Sequence, residues 1–208
     1  MAARKHPVRW GVWSLLAWLR LRAAGAKIGR GLRALGPILV RTDPGWRGRM
    51  IIGDNVTLLP YVDLRLRERG SIVLGDGVYL ETMARLVAAN QAKLQIGAET
   101  QVGMGSILNA GDDITIGNQV AIAAYSSLVA AEHAYFDPNT PIKQQGYRYA
   151  PITIGDDVWL ATGVLVRPGV TIGSGAVIGA QSVVHSDVPA YVLAVGNPAK
   201  VVRDRKTV

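Results

Sequence analysis

A chain of 208 residues with 24 glycines, a single phenylalanine and 6% aromatics is the length of one domain with an appendage, and its core must be built from small aliphatic side chains. It has no cysteine and only three histidines (His6, His133 and His185), which excludes disulfide frameworks and thiolate zinc sites and restricts imidazole–metal chemistry. The formal net charge of +8 is uneven: residues 1–50 hold eleven bases against one acid, Asp43, for a net +10, whereas the remainder holds twelve against fourteen, for a net −2. A basic head on a near-neutral body points to an anionic membrane surface, nucleic acid or another anionic partner. Four of the five tryptophans sit in that head, which favours the membrane surface.

The first element is an apolar run from Trp10 to Leu19, followed by Arg20 and Arg22. Ten residues are too few to cross a bilayer, which takes about twenty. The arginines stand where a signal peptide would need a small-residue cleavage region. Residues 1–27 are therefore read as a basic, Trp-rich helix with two competing roles. It lies at a membrane interface, or it packs on the end of the body or on a neighbouring subunit.

Residues 28–188 carry a period of six. Ile154, Leu160, Val166, Ile172, Ile178 and Val184 are spaced six apart without a slip, with Gly155, Gly173 and Gly179 directly after three of them. Six fits neither a helix nor a half-buried strand. It fits a hexapeptide β-helix, in which each rung makes one short strand and a corner. The same triples occur at Ile52, Leu58, Leu64; at Leu74, Leu80, Leu86; at Ile96, Val102, Leu108; and at Ile116, Ile122, Leu128. Three rungs close one triangular coil, so six coils are expected, preceded by a ragged start at Ile28. The solenoid is interrupted between Leu128 and Ile154 by an excursion over residues 131–151, AEHAYFDPNTPIKQQGYRYAP. A loop this long in a compact repeat domain is functional or disordered, and this one contains His133. Residues 189–208 break the pattern and form a C-terminal cap with a basic tail.

From His133 to Arg203 the sequence resembles the hexapeptide-repeat acyltransferases of the galactoside, maltose and xenobiotic acetyltransferase type, nearest to those that O-acetylate surface polysaccharides. The resemblance rests on a lone His opening the excursion, then PITIGDDVWLATGVLVRPGVTIG, GAVIGAQSVV, a D-V-P break and VGNPAKVVR. It implies an all-β solenoid, a left-handed parallel β-helix with a short N-terminal helix and a long excursion loop. It also implies a homotrimer with acetyl-coenzyme A as acyl donor in grooves between subunits, and no metal. Acyl transfer to a hydroxyl needs a base, and imidazole, which titrates near neutrality, suits the role. The family's catalytic His matches His133. Taken alone, such a residue would read as a loop His packed on Tyr135 or hydrogen-bonded to backbone. Glu132, Asp137 or a backbone carbonyl would fix its tautomer.

Asn109 and Trp159 are the candidate acceptor-binding residues. Thr162, Ala180, Lys200 and Arg203 match the coenzyme A contacts, the bases suiting phosphate. The chain departs from the family's pattern at Ala161, where a second Gly is common, and at His185-Ser186, where a Thr-Lys pair is common. Adjacent Asp156 and Asp157 read as corner residues rather than paired carboxylates.

These residues imply an acyl-CoA-dependent O-acetyltransferase acting on a sugar hydroxyl of a surface polysaccharide or glycolipid precursor, cytoplasmic and peripheral at the inner membrane face. N-acetylation of an amino sugar or small amine is the alternative among enzymes. A non-catalytic structural β-helix is the alternative outside them. The three-His zinc site of γ-type carbonic anhydrases is excluded, because His6 and His185 lie at opposite ends of the chain. Nucleic-acid binding lacks a motif.

Overall fold

The computed structural model describes residues 11–23, 25–43, 45 and 48–207. Trp10, Trp46, His6 and the bases at positions 4, 5, 9 and 47 lie outside the described residues.

One helix, α1 (Val12–Ala23), opens the chain. Leu and Ala favour it, and Arg20 and Arg22 in its last turn complement the dipole. It stops at Gly25, whose φ of 88° is left-handed. The Gly25 N–H donates to the Arg22 carbonyl and the Ala26 N–H to the Leu21 carbonyl, the paired bonds of a Schellman cap.

The body is a parallel β-helix of hexapeptide rungs, and the described residues make seven coils: 27–42, 50–66, 71–88, 93–110, 114–129, 152–166 and 171–184. Each coil contributes one strand to each of three parallel faces, here A, B and C in chain order. The register is direct: Ile96 stacks on Leu74 and below Ile116, and Leu108 sits between Leu86 and Leu128. Ile154, Leu160, Val166, Ile172, Ile178 and Val184 all point inward and are at most 1% exposed. A second inward residue, two positions before the first, completes each rung, as at Val158, Val164 and Val170.

The ragged start at Ile28 is a full first coil. Ile28, Ala34 and Val40 form a triple at the expected spacing, but its middle member is only a methyl group. A methyl suffices because Ala17 and Leu21 of α1 cover the open end and join the same core. Ser14 ties the helix down, its hydroxyl accepting from the Ala34 N–H at 3.0 Å, while Arg20 donates to the Ile38 carbonyl at 3.0 Å.

The corner between faces A and B holds a stack of glycines, one per coil: Gly29, Gly53, Gly75, Gly97, Gly117, Gly155 and Gly173. The residue after each one often supplies an oxygen to the coil before it. Asp54 accepts from the Arg30 N–H, Asp76 from Asp54, Asn118 from Ala98 and Asp156 from Asn118, all at 2.6–2.8 Å. Asp156 is thus a corner residue, and Asp157 beside it takes the left-handed turn position (φ 54°).

At the far end Val192–Gly196 extends face B in parallel, and Ala199–Asp204 folds back antiparallel as its outermost strand.

Candidate active site

The excursion leaves the solenoid after face C of the fifth coil and returns before face A of the sixth. Its two legs pair as an antiparallel arm, Ala131–His133 against Tyr147–Tyr149, with His133 opposite Tyr147. The His133 ring packs on Tyr147 at 4.2 Å between centroids and is exposed. Its ring partner is therefore Tyr147 rather than Tyr135, which stacks on Phe136. The tip is held from within. The Thr140 hydroxyl and the Asn139 N–H donate to the Asp137 carboxylate, which holds its pKa below the usual aspartate value.

Both carboxylates near His133 are committed elsewhere. Asp137 serves the tip, and Glu132 accepts from Arg167 Nη2 at 2.5 Å. Arg167 projects from face C of the sixth coil, and its other nitrogen, Nη1, lies 3.1 Å from His185 Nδ1. The Glu132 carboxylate raises the Arg167 pKa, so the guanidinium acts as a fixed strap between solenoid and arm. Sequence reading weighed Glu132 against His133 and missed Arg167; the signal was a lone base beside inward Val166. Because both side chains are partly exposed (36% and 28%), the ion pair contributes at most about 1 kcal/mol. Glu132→Gln should leave global unfolding almost unchanged while loosening the arm. Amide exchange over 131–133 and 147–149 should accelerate, and any turnover dependent on His133 should drop roughly tenfold through misplacement. Unaltered exchange in the arm would show that the strap holds nothing.

The other candidates fall into separate groups within one chain. Asn109 is half-buried on face C of the fourth coil, pointing outward in the column that continues to Val129. Trp159 is exposed on face B of the sixth coil, and the outward column above it runs through Val177 and Leu193 to Arg203. Three strand spacings put Trp159 and Arg203 about 14 Å apart. Thr162 and Ala180 are exposed at the corner between faces B and C on successive coils, linked by the Gln181 N–H donating to the Thr162 carbonyl. Lys200, opposite Val195 in the terminal hairpin, lies at that same corner.

In a three-faced prism, face B is opposite the corner between C and A. One chain therefore carries His133 at the corner between C and A and Trp159 and Arg203 on face B opposite it, with Asn109 on face C and Thr162, Ala180 and Lys200 at the corner between B and C. Neither open groove of about 550 Å³ and 540 Å³ near the N-terminal coils includes His133. Among the described residues no three His, Asp or Glu side chains are grouped to hold a metal.

Residues 151–186 match the family described as bacterial transferase hexapeptide (six repeats). A probable acetyltransferase of Mycobacterium tuberculosis is 34% identical over 154 residues, 66% of this chain and 51% of that protein. The chain is similar to bacterial hexapeptide transferases and to acetyltransferases. A putative colanic acid biosynthesis acetyltransferase of Escherichia coli is 42% identical over 113 residues, 54% of this chain and 59% of that one. The chain thus spans between half and three-fifths of these relatives. Among solved structures, the polySia-specific acetyltransferase NeuO superposes with a TM-score of 0.52 at 26% identity, over 87% of this chain and 86% of that one.

Proposed function

We propose that the protein is an acyl-CoA-dependent O-acetyltransferase whose acceptor is a sugar hydroxyl of a surface polysaccharide or glycolipid precursor. The observation that carries this reading is His133, exposed on an arm that leaves a hexapeptide solenoid, in a chain whose relatives include acetyltransferases of polysaccharide pathways.

In the proposed reaction a ring nitrogen of His133 takes the acceptor hydroxyl proton. The oxygen then attacks the thioester carbonyl carbon. The tetrahedral adduct collapses by breaking the carbon–sulfur bond, and the departing thiolate recovers the proton from the imidazolium. Asn109 and Trp159 hold the acceptor, while Thr162 and Ala180 line the donor's path and Lys200 and Arg203 meet its phosphates.

Because His133 lies at the corner opposite face B, which carries Trp159 and Arg203, the working site is shared. His133 of one copy faces Trp159 of the next across the groove of a homotrimer. Light scattering should accordingly return about three times the chain mass of 22.2 kDa. A monomer would separate the two halves of the site and sink the mechanism. With acetyl-coenzyme A as the acyl donor, the proposed reaction runs on the cytoplasmic side, and the basic, Trp-rich head supports a peripheral position at the inner membrane face.

The test is thiol release from acetyl-coenzyme A against a panel of sugars and amino sugars. Release that depends on a hydroxyl acceptor supports the reading. Release only with amines favours N-acetylation, the reading to which the same arm and groove would be fitted next. Absence of both release and donor binding would leave a structural β-helix.

A further inference from the structure

The two roles weighed for the N-terminal segment fall on opposite faces of α1. Ser14, Ala17 and Leu21 follow one another at helical spacing and are buried against the first coil. The opposite arc carries Val12, Leu15, Leu16 and Leu19, which are 64%, 48%, 40% and 48% exposed, with Trp13 (43%) on one border. Capping therefore uses a narrow stripe in which Leu21 is the one large side chain, and leaves four aliphatic side chains outward, where a surface helix ordinarily presents polar ones.

At 100° per residue, Arg20 and Arg22 flank this outward arc on its two sides. Arg20 is anchored on the Ile38 carbonyl, and the Arg22 guanidinium lies 5.8 Å from the Trp18 ring centroid. Coil 1 beside the helix adds exposed Lys27, Arg30 and Arg41. The one acid of residues 1–50, Asp43, is exposed at the end of coil 1, where it accepts from the Glu68 N–H.

We infer that this outer face of α1 docks the protein on an anionic lipid bilayer. A dozen residues span about 18 Å, so the helix lies along the surface rather than through it. The apolar arc enters the acyl boundary while Arg20 and Arg22 at its borders meet phosphate headgroups, the opposite face remaining on the first coil. Charge decides between this occupant and a second copy. Two such faces packed together would bring four arginines to one seam without an acid to neutralise them, whereas a lipid phosphate supplies the counter-charge. The inference stands apart from the acyl-transfer reading, since it uses none of the residues assigned to that site.

The experiment is cosedimentation of the full chain with vesicles of phosphatidylcholine alone, or of phosphatidylcholine mixed with phosphatidylglycerol. Wild-type protein should bind only the mixed vesicles, and less in high salt. Leu16→Glu/Leu19→Glu should lower the partition coefficient by about tenfold or more, with thermal melting and acetyl transfer to a soluble acceptor unchanged. If that variant melts early, Leu16→Ser/Leu19→Ser replaces it, with a smaller fall expected in the same direction. Wild-type protein left in the supernatant with mixed vesicles would overturn the inference, as would equal binding by the variants. So would a variant that loses oligomeric mass in light scattering, because the face would then be a contact between copies.

Discussion

His133→Ala should lower acceptor-dependent thiol release by about 10²–10⁴-fold, the usual contribution of a positioned general base. The side chain is exposed and its described packing is the ring contact with Tyr147. Its removal should therefore leave the melting temperature nearly where it was, within the range typical of surface substitutions. The combination is what identifies the role, because a residue needed only to fold the arm would change both quantities. Donor binding should survive, since the groups assigned to acetyl-coenzyme A (Thr162, Ala180, Lys200 and Arg203) are left intact. Turnover unaffected by the substitution would refute His133 as the base while leaving the fold and family untouched.

Gly75→Ala should be among the damaging small changes in the solenoid. A Cβ at this corner would stand 2.7 Å from the Ala98 amide nitrogen and 2.9 Å from the Gly97 carbonyl carbon. Both are backbone atoms of the next coil, so no side chain can swing away. The coils would have to part, breaking ladder hydrogen bonds such as that from the Gly75 N–H to the Ile96 carbonyl at 2.8 Å. Overpacking of this kind costs about 3 kcal/mol. In a solenoid, where each repeat is stabilised by its immediate neighbours, the defect lies between two halves of the stack. Equilibrium unfolding in urea should show the loss as a lower midpoint. Gly11→Ala is the control, because nothing lies within 4 Å of a Cβ there, and its midpoint should not move. An equally stable Gly75→Ala protein would mean that the corner stack is looser than its geometry states.

The solenoid was legible because its signal is strictly periodic. A residue such as Leu128 or Ile172 announces its inward direction by spacing alone, without knowledge of any partner. The first coil was legible only as a ragged start at Ile28, because its middle member, Ala34, carries too little hydrophobic signal, and what compensates it is a helix thirteen or more residues earlier. The excursion was legible as an interruption, yet its form as a paired arm was not. The pairing of His133 with Tyr147 depends on a turn whose residues, Pro138 to Gln145, carry no period. Arg167 was illegible for a related reason. Its partner Glu132 is 35 positions away, and only the stacking of the sixth coil beside the base of the arm brings them together. The placing of His133 opposite Trp159 and Arg203 on the prism follows from counting corners, but only once the positions of the faces are known.

The closure of both ends of the stack has a further consequence. A parallel β-helix is in principle an open polymer: each terminal coil offers unpaired N–H and C=O groups that match the opposite end of another copy. Here the first coil is roofed by α1. At the other end the Asp187 carboxylate takes the Thr171 N–H at 2.7 Å, and the chain then crosses to add an antiparallel strand whose outer row bears Lys200 and Arg203. Growth along the axis is thereby blocked at both ends, and association is confined to the flanks. That favours a small closed assembly over a fibre, and the flanks are where the two halves of the site are exposed.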